Sequence, residues 1–166
     1  MVKNLFLVRH AESSEAVAGI KDIERELTAK GYRDAPRLGR YLFELNIHPD
    51  AMFSSNAQRA RATAELMAEQ LKYEIHKIEF SEDLYNASVR TLLRIINEAK
   101  DDWHTLIIIA HNPAVSYLAE YLSREAIGNI VPGGVVNLTF EIEGWKEVSE
   151  GTGKLLSTID PENIIF

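Results

Sequence analysis

Thr105-Leu106-Ile107-Ile108-Ile109-Ala110, running into His111-Asn112-Pro113, carries the strongest structural signal in the chain. Leu106 to Ala110 is the longest unbroken apolar run, too short for a helix and rich in β-branched residues. A half-exposed strand would alternate apolar and polar residues. This one does not, so both its faces are buried, as in a parallel sheet covered by helices on either side. Asn112-Pro113 then marks a strand-to-helix turn, with proline at or near the first helical position.

Leu5–Val8 repeats the same continuous apolar pattern and is a second buried strand. Between the two, helical and extended patterns alternate. Leu38, Tyr41, Leu42 and Leu45 recur at helical spacing within 28–45, and Thr28 can cap the start. Ala51–Ser54 is a short strand. A helix over 56–71 follows, with Ser55 as its N-cap. Ile75–Phe80 alternates as a strand, and 89–99 has helical period. Beyond the Asn112-Pro113 turn, 135–142 and 155–159 are later strands. This order predicts a three-layer α/β/α fold: a mostly parallel central sheet with helices on both faces.

The 166 residues predict one domain spanning 1–166, with 46% hydrophobic and 26% charged residues, an ordinary globular composition. No linker, repeat or block of five like charges interrupts the chain. The absence of cysteine excludes disulfides, Cys-ligated zinc and iron–sulfur clusters. A net charge of −7 opposes binding to nucleic acid or an anionic membrane. No apolar run approaches the roughly 20 residues of a membrane span or the roughly 7–15 of a secretory signal, so a cytoplasmic location is expected.

In parallel α/β sheets the ligand sits beyond the carboxyl ends of the strands. Arg9-His10-Ala11-Glu12 follows the first strand, Ser54-Ser55-Asn56-Ala57-Gln58-Arg59 the second, and His111-Asn112 the Thr105–Ala110 strand. Two guanidinium groups and two imidazoles therefore converge on one end of the sheet. Such a set binds an anion, and phosphate is the anion most often read by arginine forks. Helix N-termini after Ser55 and Asn112 would add backbone donors. Arg61, two residues from Arg59 on the same helix, should point away as a surface charge.

Leu7-Val8-Arg9-His10-Ala11-Glu12 resembles the Arg-His-Gly motif of the histidine phosphatase (phosphoglycerate mutase-like) superfamily. Ser55-x-x-x-Arg59-Ala60-x-x-Thr63-Ala64-Glu65 resembles its second motif, and Ala110-His111-Asn112 its third. Arg25-Glu26-Leu27-Thr28-Ala29-Lys30-Gly31, Asp83-Leu84-Tyr85-Asn86-Ala87 and the stretch from Trp145 to Pro161 resemble the short SixA-like phosphohistidine phosphatases. The resemblance implies a metal-independent, cofactor-free phosphohydrolase in which His10 is phosphorylated and Arg9, Arg59 and His111 hold the phosphoryl oxygens. A neutral ring nitrogen must then be the nucleophile, its tautomer fixed by a hydrogen bond at the other nitrogen. The implied partner is a phosphohistidine protein, with a small phosphate ester as the alternative substrate. A phospho-ligand binding module is the non-enzymatic alternative, against which the retained His10 argues. The connection from Phe80 to Val89 is too short for the capping insertion of a mutase.

Three positions depart from the family pattern. Ala11 replaces glycine, Asn56 replaces proline and Ala62 replaces glutamine. The general acid is also missing from its usual place after Leu84. Glu82, Asp83 and Glu12 are the candidates, and the choice among them stays open. No histidine pair has metal-ligand spacing. His48, His76 and His104 are expected to face solvent. Gly151-Thr152-Gly153-Lys154 lacks the spacing of a P-loop, and Pro132-Gly133-Gly134 is a turn.

Overall fold

The computed structural model describes every residue from Met1 to Phe166. Its strands are β1 (Val2–Arg9), β2 (Ala51–Ser55), β3 (Glu79–Ser81), β4 (Thr105–Ala110), β5 (Val135–Glu141) and β6 (Lys154–Ile159). Its helices are α1 (Ala29–Glu44), α2 (Gln58–Leu71), α3 (Val89–Asn97) and α4 (Ala114–Ser123). The strands form one sheet in the order β3-β2-β4-β1-β5-β6. β3, β2, β4 and β1 run parallel; β5 pairs antiparallel with β1, and β6 pairs antiparallel with β5 and so runs in the direction of the parallel set.

The apolar runs work as their lack of alternation requires. Leu5, Leu7, Leu106 and Ile108 point to one face and pack with Leu92 and Ile96 of α3 and Leu118 and Leu122 of α4. Phe6, Val8, Ile107 and Ile109 point to the other, against Leu38 and Leu42 of α1 and Ala60, Ala64 and Met67 of α2. Successive strand side chains thus feed two cores, one on each side of the sheet. Leu5–Val8 of β1 and Leu106–Ala110 of β4 are buried.

α1 starts where Thr28 caps it, its side chain accepting from Gly31 N at 3.1 Å. α1 and α2 approach closely at Gly39, where a Cβ would lie 2.6 Å from the Met67 carbonyl oxygen, so only glycine fits. Two expectations need correction. Ser55 does not cap α2: the helix begins at Gln58 after Ala57, and the Ser55 hydroxyl accepts from Ala57 N at 3.1 Å within the preceding loop. Ile75–Phe80 is not a strand throughout. Ile75–Lys77 is a 3₁₀ turn, because the ladder with β2 starts only at the Phe53–Glu79 pair and leaves the earlier residues nothing to bond. No helix is long and apolar enough to cross a membrane.

Candidate active site

Arg9 and His10 leave the carboxyl end of β1 with their backbone held on both sides. Arg9 N donates to Gly134 O, His10 N donates to Ala110 O, and Gly133 N donates to the carbonyls of both Arg9 and His10. The Pro132-Gly133-Gly134 turn is therefore a buttress behind the site. Gly133 adopts φ +76°, a left-handed conformation suited to glycine. The next residue, Ala11, donates its N–H to Thr63 Oγ1 at 3.0 Å, and Thr63 Oγ1 donates to Arg59 O at 2.8 Å. One hydroxyl thus joins the end of β1 to the first turn of α2. The Ala11 methyl, where the family pattern has glycine, is fully buried with Leu27 and Ala35.

His10 Nδ1 lies 2.8 Å from the Ala11 carbonyl oxygen. A carbonyl only accepts, so Nδ1 carries the proton and Nε2 keeps its lone pair. His111, from the end of β4, stands beside it with ring centroids 5.0 Å apart, and its Nε2 meets the Ser55 hydroxyl at 2.8 Å. Both rings titrate well below an ordinary histidine. His10 is lowered to about 4, first by burial, with the Arg59, Arg9 and Arg25 charges adding to it. His111 is lowered to about 3, again first by burial, then by the neighbouring His10 and Arg59. At neutral pH both imidazoles are uncharged, the form a nucleophile needs.

Arg9 and Arg59 flank these rings. Arg9 Nη1 donates to Ile130 O at 2.9 Å, and Asn112 Nδ2 donates to the same carbonyl at 3.0 Å. Arg59 donates from Nη1 to Asp22 O at 2.7 Å and from Nη2 to Asp22 Oδ2 at 3.1 Å. The Nε atoms of both arginines are buried and have no hydrogen-bond partner. Such buried cationic donors are costly, and an anion nearby relieves the cost. Arg25 joins them, donating from Nε to Asp22 Oδ1 at 2.9 Å and from Nη1 to Ser14 O at 2.6 Å. All line a cleft of about 680 Å³ with Tyr85, Pro113 and Tyr117. The four residues expected from the strand ends, Arg9, His10, Arg59 and His111, are thus gathered in one place.

The three carboxylates considered for the general acid lie elsewhere. Glu12 borders a separate depression with Lys30 and Glu162. Glu82 is exposed, and Asp83 pairs with Arg94 at 3.6 Å beside another depression. The carboxylate in the cleft is Asp22, which the sequence reading missed. It lies in a stretch with neither periodicity nor matched motif. Tyr85 and Arg25 were missed as site residues too, although both stand in stretches that resemble the SixA-like proteins. The Tyr85 hydroxyl donates to Asp22 Oδ2. That bond first, and the arginines after it, hold the Asp22 carboxyl down at about 2. Asp22 is therefore an anion at neutral pH, not a proton donor. Arg61 points away as expected, its guanidinium 3.7 Å from the Phe80 ring centroid. His48, His76 and His104 are exposed. No group of three or more histidine, aspartate or glutamate side chains is placed to hold a metal ion.

The sequence pattern of the Histidine phosphatase superfamily (branch 1) matches residues 5–89. An uncharacterized protein of Mycobacterium tuberculosis, Rv1276c, is 33% identical over 158 residues, covering 90% of this chain and 96% of its own. Among solved structures, a SixA from Nakamurella multipartitia superimposes with TM-score 0.83 at 21% identity, covering 97% of both chains. A protein histidine phosphatase SixA complexed with tungstate gives TM-score 0.83 at 20% identity, covering 96% of this chain and 98% of that one. The likeness to these two structures is one of fold. With the family pattern spanning half the chain and a relative matched along nearly all of it, the chain belongs to branch 1 of the histidine phosphatase superfamily and is a phosphohydrolase.

Proposed function

We propose that the chain, acting as a single catalytic domain, hydrolyses phosphohistidine on a protein substrate through a phosphorylated His10. The observation that carries this reading is the fixed tautomer of His10, whose Nδ1–H is bound by Ala11 O while Nε2 keeps a free lone pair among three guanidinium groups. Nε2 attacks phosphorus as the bond to the substrate imidazole breaks. That imidazole, protonated from solvent on its remote nitrogen, departs neutral. The phosphorylated His10 ring keeps its Nδ1 proton and is cationic, so it too leaves as a neutral group when water attacks. The water proton passes to the released phosphate or to solvent. Arg9, Arg59 and His111 hold the phosphoryl oxygens, and the work is positioning and electrostatics. No metal takes part.

The preference for a P–N bond is supported by the state of the cleft's carboxylate. Asp22 is ionised and tied to Arg59, Arg25 and Tyr85, so no carboxylic acid stands ready to protonate an alkoxide. A missing general acid typically costs an alkyl ester about 10²–10⁴-fold. The rim is also open: Tyr117 is 60% exposed, which suits a side chain presented by a cytoplasmic phosphoprotein. The test is kcat/KM for a phosphohistidine protein, an aryl phosphate and an alkyl phosphate such as 3-phosphoglycerate. The expected order is phosphohistidine, then aryl, then alkyl. Equal or faster turnover of the alkyl ester overturns this reading in favour of a small-molecule phosphomonoesterase.

A further inference from the structure

Asp22 sits in the connection between β1 and α1, and Tyr85 in the connection between β3 and α3. Their side chains meet across the cleft wall at the Asp22 Oδ2 atom that also receives Arg59 Nη2. Arg59 is gripped at two points, and the shorter is to the Asp22 backbone carbonyl at 2.7 Å, against 3.1 Å to the carboxylate. A side chain that merely occupied the arginine until an anion displaced it would not bring its backbone into the contact. Asp22 Oδ1 meanwhile takes the Nε of Arg25. Two of the five N–H bonds of Arg59 are thereby committed to Asp22, while its buried Nε has no protein partner. With both imidazoles neutral, three guanidinium charges and one carboxylate leave a net charge suited to a phosphoryl dianion.

We infer that Asp22 and Tyr85 are a positioning pair, a bridge between two loops that grips the Nη end of Arg59 and fixes its plane so that the uncommitted donors face the phosphoryl group. The inference rests on the phosphatase reading above. It assigns a role to the Asp83–Ala87 stretch: Tyr85 holds the residue that holds Arg59. The Tyr85 ring reinforces the arrangement, lying edge-on to His111 at 5.6 Å and 5.9 Å from the Arg59 guanidinium. An arginine left to rotate about its long side chain would lose this preorganisation, and its donors would have to be ordered at the moment of binding.

Charge alone and positioning predict opposite signs. Removing a negative charge beside an anion site tightens oxyanion binding if Asp22 is only a competing anion, and weakens it if Asp22 positions Arg59. Calorimetric titration with vanadate and with inorganic phosphate should be run on the wild-type protein, Asp22→Asn, Tyr85→Phe, Arg59→Ala and the Tyr85→Phe/Arg59→Ala double variant. Asp22→Asn and Tyr85→Phe should each weaken vanadate binding about tenfold, the size expected for losing one hydrogen bond to a charged group. In the Arg59→Ala background Tyr85→Phe should have no further effect, since the pair acts through that arginine. Tighter vanadate binding by Asp22→Asn overturns the inference. So does an undiminished Tyr85→Phe effect without Arg59, which would mark a direct or merely structural role. Tyr85→Phe removes one oxygen from a partly exposed ring, so it keeps the test open if Asp22→Asn does not fold. Failure of the wild-type protein to bind either oxyanion overturns the phosphatase reading itself, and this inference with it.

Discussion

Among single residues, His10 has the sharpest expected effect. Its side chain faces the cleft rather than either core, so His10→Ala should abolish turnover and the acid-labile phosphoenzyme while leaving the melting temperature nearly unchanged. Arg9→Ala and Arg59→Ala should each cost on the order of 3–5 kcal/mol in kcat/KM, as expected for removing a desolvated charge partner. Arg61→Ala should cost almost nothing, because its guanidinium lies over Phe80. Steady-state kinetics of the three variants decide this, and comparable losses at Arg59 and Arg61 would contradict the helix orientation. The pH profile follows from His10, whose neutral form attacks. With its pKa at about 4, kcat/KM corrected for substrate ionisation should stay level down to near pH 5 and fall as pH drops through about 4. A fall centred near 6.5 would show that burial does not depress it. At this scale the sequence was most legible where a side chain stands directly on a strand end, as Arg9, His10 and His111 do. Asp22 was illegible because it reaches the cleft from a loop whose path depends on tertiary contacts.

The elements were legible in proportion to how far burial alone dictates them. β1 and β4 announce themselves through unbroken apolar runs, since no other environment hides both faces of a strand. Thr28 was readable as a cap because its chemistry is local. β3 was not, because its length depends on how much of β2 lies beside it, which no pattern within 75–80 records. The β5 and β6 directions were also unreadable, since an apolar strand reads the same in either orientation. The turn before β5 yields a prediction. A Cβ on Gly134 would lie 2.8 Å from the Val131 carbonyl oxygen and 2.8 Å from Ile130 Cγ2, so Gly134→Ala must displace the segment whose Ile130 carbonyl holds Arg9. The variant should raise KM for the phosphoryl substrate together with a destabilisation of about 1–3 kcal/mol. Gly128→Ala is the control. Gly128 adopts φ +76°, so alanine there should show backbone strain in thermal melts, but its Cβ would meet nothing within 4 Å and KM should be unchanged. Unchanged KM in Gly134→Ala would mean that Arg9 does not depend on this segment.

For the whole molecule, the buried histidines tie stability to pH. His10 and His111 titrate at about 4 and about 3 in the folded chain, below the ordinary histidine value of 6.5 that applies once they are exposed. Between those limits the unfolded chain binds more protons, so their contribution is complete above pH 6.5 and is lost as pH falls through about 4 and then 3. Melting temperature should therefore begin to decline below pH 6.5, and a His10→Asn/His111→Asn variant should flatten that slope. Turnover should survive exhaustive chelation and be inhibited by vanadate or tungstate; restoration of a chelated, inactive sample by Mg²⁺ or Zn²⁺ would contradict the mechanism. The Thr63 link between β1 and α2 has a further consequence on a slower timescale. The Ala11 amide hydrogen is given to Thr63 Oγ1 in a fully buried residue at the meeting point of sheet and helix. Its exchange with deuterium should require global unfolding rather than loop opening, making this amide a residue-resolved gauge of total stability that sits one position from the nucleophile.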